Sequence, residues 1–169
     1  MIEIRPAHDP QSADAVHVIK AVYDEFGFGW FPEGYHRDLY ALDASYWETG
    51  DEFYLAYLDG APVGTVAVEF FPAIPEGVTE PLVRIAGCDC SLERLYVLAS
   101  ARGMGLGRLL TEFAMRRASE RGATRMEIWS DVQFEAAHRL YERLGAVQVA
   151  ERLCDDPAQS PEYGLVLAL

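Results

Sequence analysis

We predict that the 169-residue chain forms one α/β domain over residues 1–169, with a central twisted mixed sheet flanked by helices. Three observations lead to this fold class. Short apolar runs typical of strands alternate along the chain with stretches of helical periodicity. Asp59-Gly60 separates two strand-like runs, and this dipeptide supplies the positive φ angles of a tight hairpin turn. A third strand-like run, 92–98, leads into the glycine-rich segment 102–108, after which a helix pattern begins.

The first part of the chain is predicted to contain a strand and two helical stretches. Ile2–Arg5 alternates in polarity and is ended by Pro6, which cannot donate to a strand ladder. Ser12 is in the position of a cap for a first helix. A second helical stretch covers about Tyr35–Trp47, after an aromatic loop at 27–32. The aromatic residues of this region fit a hydrophobic core and equally fit the wall of a small-molecule cleft.

The rest of the chain is predicted to alternate strands and helices, without an internal repeat or a low-complexity tract. The predicted elements are, in order, hairpin strands 53–58 and 62–71, a loop 72–81, a short strand 83–86, the strand 92–98, a helix from about 106 to Gly122, the strand 125–129, a helix around 134–144 closed by Gly145, and strands 147–153 and 163–169. Glycine after each of these helices is typical of a left-handed C-terminal cap.

The net charge of the chain is −13, which argues against a nucleic-acid partner. Residues 1–80 carry 3 of the 14 basic residues and 15 of the 27 acidic residues, whereas nine basic residues fall between 94 and 143. One interpretation is a solvated acidic surface that needs no partner. The other is an anionic ligand on the C-terminal half and a cationic ligand facing the N-terminal half.

The sequence predicts a cytoplasmic protein that does not enter a membrane. No apolar run approaches the roughly 20 residues that span a bilayer, and the N-terminus lacks the form of a signal peptide. Cys88, Cys90 and Cys154 are therefore expected to be reduced thiols. The spacing of the first two could indicate a metal site, but no second Cys or His pair accompanies them. Buried strand cysteines are the favoured interpretation, with no metal cofactor.

The segment 91–121 is the strongest candidate for a binding site. A strand there breaks on alternating glycines and feeds a helix, which exposes backbone N–H groups at the positive end of the helix dipole. This arrangement is suited to holding phosphate. The glycines between 103 and 107 let the backbone approach a ligand closely. Arg102 and Arg108 could add charge-assisted hydrogen bonds or could be solvated residues at the helix start.

The motif Arg102-x-x-Gly105-x-Gly107 resembles the acetyl-CoA signature of the Gcn5-related N-acetyltransferase (GNAT) superfamily, which follows the fourth strand of that fold. A second motif, Ala137-x-x-x-Tyr141-x-x-x-Gly145, also resembles that family. Phe134 departs from the pattern, because members often have there an Asn that can bind the pantetheine arm, and Ala146 stands where Phe is usual. The resemblance implies the GNAT fold and acetyl-CoA as cosubstrate without a metal, and it allows a homodimer.

The resemblance also implies roles for individual residues. Tyr141 corresponds to the family's usual general acid, which protonates the departing CoA thiolate, although its helix face also fits a core tyrosine. The backbone N–H of Val97 is expected to meet the developing oxyanion. The residues expected to bind the cofactor are Leu95, Tyr96, Val97, Arg102, Gly103, Met104, Gly105, Leu106, Gly107 and Arg108.

Glu93 is the candidate general base. An alkyl amine has a pKa of about 10.4, so only about one molecule in a thousand is neutral at pH 7 and its proton must be removed. Period two along the fourth strand predicts that Glu93 shares a face with Leu95 and Val97. The alternative is an exposed carboxylate at the strand end. Close to the second motif, Asp131 is expected to cap a helix and His138 to lie on its surface.

The combined prediction is an N-acetyltransferase that transfers the acetyl group of acetyl-CoA to a primary amine by direct attack in a ternary complex. The acceptor is expected to be a small cationic amine, a polyamine or a peptide amine, because the N-terminal half is acidic and aromatic. The residues behind this expectation are Asp24, Glu25, Trp30, Glu33, Tyr35 and Asp38. Two alternatives are an acyl-CoA-binding module of the same fold without catalysis, and a nucleotide-binding α/β domain. The second lacks a P-loop lysine and a dinucleotide fingerprint.

Overall fold

The computed structural model of the chain describes residues 1–73, 84–85 and 87–169. These residues form a seven-stranded mixed sheet in the order β1-β2-β3-β4-β5-β7-β6, flanked by helices on both faces. The elements are β1 Ile2–Pro6, α1 Ser12–Phe26, β2 Glu52–Leu58, β3 Ala61–Phe70, β4 Cys90–Val97, α2 Leu106–Glu120, β5 Arg125–Asp131, α3 Glu135–Arg143, β6 Val147–Leu153 and β7 Pro161–Ala168. The predicted fold class is confirmed.

The two faces of the sheet are covered by different helices. One apolar cluster contains Leu106 and Leu110 of α2 together with Val66 and Ile128 from the strands. The second cluster, on the opposite face, joins Ile19 and its neighbours in α1 to residues of β2 and β3. The hairpin between β2 and β3 turns at Asp59 and Gly60, with φ angles of 49° and 86°, as the sequence predicts.

Strands β4 and β5 are parallel and separate soon after they meet. Their pairing covers only Cys90–Leu92 against Met126–Ile128. Beyond these residues the second half of β4 keeps its pairing with β3 but not with β5. The sheet therefore opens into a gap between its two central strands, and the ends of both strands form the walls of this gap.

A β-bulge at Arg94 changes the direction of β4 at the gap. Ala67 of β3 pairs with Glu93 and Thr65 pairs with Tyr96, so that β4 has one residue more than β3 over this stretch. Arg94 has a φ of 50°, in the left-handed region that non-glycine residues rarely adopt. Its carbonyl accepts a hydrogen bond from the Thr65 hydroxyl at 2.7 Å, which helps to hold this conformation.

The bulge overturns the predicted face of Glu93. Paired residues on neighbouring strands project to the same side, and Ala67, the partner of Glu93, lies in the α1 cluster. Leu95 and Val97 instead pack against the α2 cluster. The prediction that Glu93 shares their face is therefore wrong, because the extra residue at Arg94 interrupts the period-two alternation.

Several local predictions also differ from the structure. The predicted helix Tyr35–Trp47 is two short pieces, a 3-10 turn at Arg37–Tyr40 and a π turn at Asp43–Trp47. Ser12 is the first residue of α1 and not its cap, since a 3-10 turn at Asp9–Gln11 precedes it and its hydroxyl has no hydrogen-bond partner among the described residues.

The predicted strand 83–86 falls partly outside the described residues, as does most of the loop 72–81. Its described members, Arg84 and Ile85, are not in a strand. All three cysteines are buried free thiols, as predicted, although Cys88 precedes β4 and Cys154 follows β6. Among the described residues there is no helix with the length and hydrophobicity needed to cross a bilayer.

Candidate active site

A cavity of about 730 Å³ occupies the gap between β4 and β5. Its walls also include the start of α2, one side of α3, the second half of α1, the aromatic loop after α1 and the segment that follows β6. Of the predicted cofactor residues, the cavity is lined by Leu95, Tyr96, Val97, Arg102, Gly103, Gly105, Leu106, Gly107 and Arg108. Met104 is not part of the lining, and about half of its side chain is exposed.

The turn before α2 presents its backbone N–H groups without partners. Leu109 is the first residue of this helix whose N–H bonds to the backbone, at 3.0 Å from the Gly105 carbonyl. The N–H groups from Gly103 to Arg108 donate to no other group within the described part of the chain. They lie at the positive end of a 15-residue helix, where an anion is stabilised.

Two glycines allow this turn to form. Gly103 and Gly105 have φ angles of 79° and 80°, which other residues adopt only with strain. A Cβ atom at either position would meet no heavy atom within 4 Å, so the turn faces open space. The turn is therefore free to hold the pyrophosphate of a coenzyme A molecule against its backbone, and the residues present fit that group.

Arg102 forms hydrogen bonds with α1 and with β4. Its two terminal nitrogens donate to the Glu25 carboxylate at 2.6 and 2.7 Å, and its Nε donates to the Val97 carbonyl at 3.0 Å. Through these hydrogen bonds, the arginine links the end of α1 to the end of β4. Arg108 is mostly exposed and bonds Glu112 one helical turn away, at 2.7 Å. Both arginines thus have carboxylate partners beside the turn of residues 103–108, which we call the cradle.

The backbone N–H of Val97 points into the gap. Leu98 donates its N–H to the Val63 carbonyl of the β3 side at 2.9 Å. Successive N–H groups of a strand point in opposite directions. The N–H of Val97 therefore faces away from β3, towards the space that β5 has left.

Tyr141 lies on the side of α3 that faces the cavity, and only 3% of its surface is exposed. Burial, followed by the nearby Tyr96 and Glu93 side chains, raises its pKa above the ordinary value of a phenol. Its hydroxyl has no hydrogen-bond partner among the described residues. The hydroxyl oxygen is nevertheless not one of the fully buried polar atoms that lack a partner. A neutral phenol with a free O–H group is suited to donate a proton into the cavity.

Glu93 lines the same cavity from the other side of β4 and is half-buried. Burial raises the pKa of its carboxyl to about 7, and the negative charge of Glu69 acts in the same direction. A hydrogen bond of 2.6 Å from the Ser91 hydroxyl and the positive charges of Arg94 and Arg152 oppose this shift. Such a carboxyl can accept or release a proton near neutral pH.

Phe134, at the position where the family that the sequence resembles often has Asn, lines the cavity. Its ring packs edge-on against Phe26 and Phe28 from the α1 region, with centroid distances of 4.8 and 5.6 Å. A further contact joins it to Tyr96, at 6.3 Å. Phe134 thus forms an apolar contact between the start of α3 and the end of α1.

Two expectations near the second motif are wrong. His138 is half-buried, because its Nε2 bonds the Ser130 hydroxyl at 3.0 Å and its ring packs against Tyr163. Asp131 does not cap α3, whose N-terminal residue is preceded by Phe134. Its carboxylate accepts the N–H of Gln133 at 2.8 Å and so caps the turn before the helix.

Most acidic residues of the expected cation site have basic partners within the chain. Asp24 pairs with Lys20 on the same helix. Glu25 pairs with Arg102, as described above. Asp38 receives two hydrogen bonds from Arg94, at 2.8 and 3.0 Å. Trp30 stacks on His36 and does not line the cavity, whereas Tyr35 does.

The site also contains residues that the sequence analysis missed. Arg94, Trp129, Arg152, Cys154 and Glu162 also line the cavity. They come from four strands, β4 to β7, and from the segment after β6, which the chain order alone does not bring together. The only sequence signal for Arg94 was its position next to Glu93. That position places both side chains on the same side of the sheet only because of the bulge, which depends on pairing with β3.

Comparison with known proteins identifies the family of the chain. The model of the acetyltransferase (GNAT) family matches residues 19–146. The N-acetyltransferase YjgM of Escherichia coli K12, itself uncharacterised, is 29% identical over 131 residues, which cover 76% of this chain and 71% of that protein. An acetyltransferase from Streptococcus agalactiae has a similar structure, with a TM-score of 0.77 and 20% identity over 99% of this chain and 98% of that one.

A third similar structure, yncA from Salmonella typhimurium, was solved with its cofactor acetyl-CoA. It has a TM-score of 0.72 and 17% identity, over 100% of this chain and 94% of that one. At this identity the structural matches show the fold alone, while the family model covers most of the chain. The chain belongs to the GNAT acetyltransferase family.

Proposed function

We propose that the chain is an N-acetyltransferase that moves the acetyl group of acetyl-CoA to a primary amine by direct attack in a ternary complex. The observation that carries this proposal is that one cavity is lined by the anion-binding turn, by Glu93 and by Tyr141. An acyl donor held at the turn and an amine in the same cavity would share it with a candidate base and a candidate acid.

The turn before α2 is proposed to hold the pyrophosphate of acetyl-CoA through the N–H groups from Gly103 to Arg108. Backbone donors suit a chain with a net charge of −13, because they offer positive potential without further lysine or arginine side chains. The last residues of β4, Leu95, Tyr96 and Val97, line the gap towards which the acyl end of the cosubstrate would extend.

Three groups of the chain are proposed to act on the reaction. Glu93 accepts the proton that the amine loses as its nitrogen bonds to the acetyl carbon. The Val97 N–H donates to the acetyl oxygen while negative charge develops there. Tyr141 donates its phenolic proton to the departing sulfur, which leaves as the thiol of coenzyme A. These groups account for each proton transferred, and the step needs no metal.

The test is an assay for free coenzyme A with a panel of small cationic amines, polyamines, amino acids and peptide N-termini. The protein is first shown to bind acetyl-CoA by calorimetry. Tyr141→Phe is expected to lower kcat by roughly 10²–10⁴-fold, the range for one acid–base group, with acetyl-CoA affinity retained. Tyr163→Phe, which removes a hydroxyl outside the cavity, serves as the matched control and should keep the wild-type kcat.

Each outcome separates an enzyme from a binding module. The proposal is supported if Tyr141→Phe lowers turnover and Tyr163→Phe does not. Tight acetyl-CoA binding without turnover of any amine would indicate a non-catalytic acyl-CoA-binding module. Turnover that Tyr141→Phe leaves unchanged would reject the assignment of the general acid.

A further inference from the structure

The cavity lining includes an arginine with unused donors, Arg94. Arg94 pairs with Asp38 through its Nε and Nη2 atoms, and Nη2 also donates to the Tyr35 carbonyl at 2.8 Å. Its Nη1 has no hydrogen-bond partner in the described part of the chain and is not among the fully buried unpaired atoms. Because Arg94 lines the cavity with 11% of its side chain exposed, this nitrogen offers two N–H groups to a ligand there.

The guanidinium group of Arg94 is held rigidly. Besides the ion pair with Asp38, it lies over the ring of Tyr35 with its central carbon 4.8 Å from the ring centroid. Asp38 is fixed in turn by a hydrogen bond from the Tyr46 hydroxyl. An arginine fixed in this way loses little freedom when it binds a further anion, which favours tight and directional recognition.

The bulge brings the candidate base and this guanidinium to the same side of the sheet. Glu93 faces the α1 side through its pairing with Ala67, and Arg94 reaches Asp38 and Tyr35 on that side. In a regular strand, consecutive side chains would project to opposite faces. Here a proton acceptor and an anion-binding group are sequence neighbours that line one cavity.

Two other carboxylates of the cavity lining, those of Glu162 and Asp156, already have hydrogen-bond donors. Glu162 accepts a hydrogen bond from Arg152 at 2.8 Å. Asp156 accepts from the backbone and the hydroxyl of Ser160 at 3.1 and 3.2 Å. A polycation would have to compete with these partners, whereas an anion would find donors that are free on Arg94.

We propose that Arg94 binds a carboxylate of the acceptor, and that the acceptor is a small molecule whose amine lies next to a carboxylate, such as an α-amino acid. This inference rests on the proposed acetyltransferase function. In an α-amino acid, one carbon atom joins the amine to the carboxyl group, so the two can engage neighbouring side chains. The amine is directed to Glu93 and the carboxylate to Nη1 of Arg94, with the side chain left in the aromatic part of the cavity.

The first experiment compares acceptors on the wild-type protein. Free coenzyme A is measured with the twenty standard L-amino acids, their C-terminal amides and their decarboxylated amines. The amides are a strict control, since an α-amino group beside an amide has a pKa of about 7.7–8.0 and is more often neutral than an alkyl amine. We expect at least one amino acid to exceed its own amide and amine by roughly tenfold or more in kcat/KM, the effect of a charge-assisted hydrogen bond.

The second experiment changes the arginine. Arg94→Lys keeps the positive charge but loses the planar fork, and it is expected to raise KM for the preferred amino acid by roughly tenfold while kcat/KM for its amide stays within about threefold. Arg117→Lys is the matched control. Arg117 forms the same kind of two-bond pair, with Glu52 at 2.9 Å for both bonds, but lies outside the cavity.

The outcomes distinguish this inference from the function on which it rests. Amides or decarboxylated amines that are used as well as the amino acids would overturn the carboxylate proposal and leave the acetyltransferase intact. An equal loss for acid and amide in Arg94→Lys would make Arg94 a structural residue and would also overturn it. If Arg94→Lys does not fold, the wild-type comparison decides. Absence of turnover with every amine, despite acetyl-CoA binding, would instead overturn the proposed function.

Discussion

Replacing Glu93 with glutamine tests whether this carboxyl is the base of the reaction. The change conserves size, and the glutamine oxygen can still accept the hydrogen bond that Ser91 donates at 2.6 Å. It removes only the ability to take a proton. Loss of a positioned general base lowers the rate by roughly 10²–10⁴-fold, so kcat/KM at pH 8 should fall by that factor, with acetyl-CoA affinity unchanged.

The pH dependence makes this test sharper. The pKa of Glu93 is raised to about 7, chiefly by burial, so its ionised fraction falls about tenfold for each pH unit below 7. The acceptor amine must also be neutral, which adds a second tenfold loss per unit. The logarithm of kcat/KM should therefore rise with a slope near two below pH 7 and near one above it. In Glu93→Gln the slope should be near one throughout.

A neighbouring carboxylate provides the control. The negative charge of Glu69 contributes to the raised pKa of Glu93. Glu69→Gln should therefore move the change of slope to lower pH without removing it, and kcat/KM above pH 8 should stay near the wild-type value. Fixed-time assays of coenzyme A release between pH 5.5 and 9 would measure kcat/KM for the wild type, Glu93→Gln and Glu69→Gln. A Glu93→Gln profile of the same shape and height as the wild type would refute the assignment.

Two further changes test the cradle and the buried histidine. Gly105→Ala places a side chain at a φ of 80° beside the free N–H groups, and should weaken acetyl-CoA binding in calorimetry about tenfold. Gly122→Ala carries the same strain (φ of 85°) at the far end of α2 and should leave this affinity unchanged; an equal loss in both variants would contradict the cradle. Burial lowers the pKa of His36 to about 4, so the histidine stays neutral in the folded protein while the unfolded chain takes up a proton below about pH 6.5. The free energy of unfolding should therefore fall by about 2 kcal/mol between pH 7 and pH 5 on account of this residue. In urea unfolding, His36→Gln should lose that part of the pH dependence and His17→Gln, at an exposed position, should retain it; equal slopes in the two variants would contradict the assignment.

The sequence predicted correctly the turns whose conformation is set by their own residues. Asp59-Gly60 specifies a tight turn through two residues that tolerate positive φ, and the hairpin follows from it. The glycines before α2 act in the same way, because only a residue without a side chain adopts the conformation at Gly103 and Gly105 at low cost. In such segments the responsible residues are sequence neighbours, so a single sequence contains the information.

The side of the sheet that Glu93 faces could not be predicted in this way. Period-two counting assumes a regular strand, but the extra residue at Arg94 is stabilised by groups that are distant in the chain. Asp38 lies 56 residues away and bonds the arginine side chain, while the Thr65 hydroxyl bonds its carbonyl. The partner of Arg102 was unpredictable for the same reason, because Glu25 is 77 residues distant.

The charge around the cavity is supplied in two different ways, by backbone N–H groups and by one arginine side chain. At the cradle, Arg102 and Arg108 both have carboxylate partners, so positive potential there comes mainly from backbone N–H groups that no ion pair can neutralise. Elsewhere in the cavity lining, Arg94 retains free donors in spite of its pair with Asp38. On the proposed function, the turn before α2 would hold the phosphates of the cosubstrate and Arg94 the carboxylate of the acceptor. Because Glu93 directly precedes Arg94 in β4 and lines the same cavity, an acceptor held by its carboxylate would have its amine close to the proposed base.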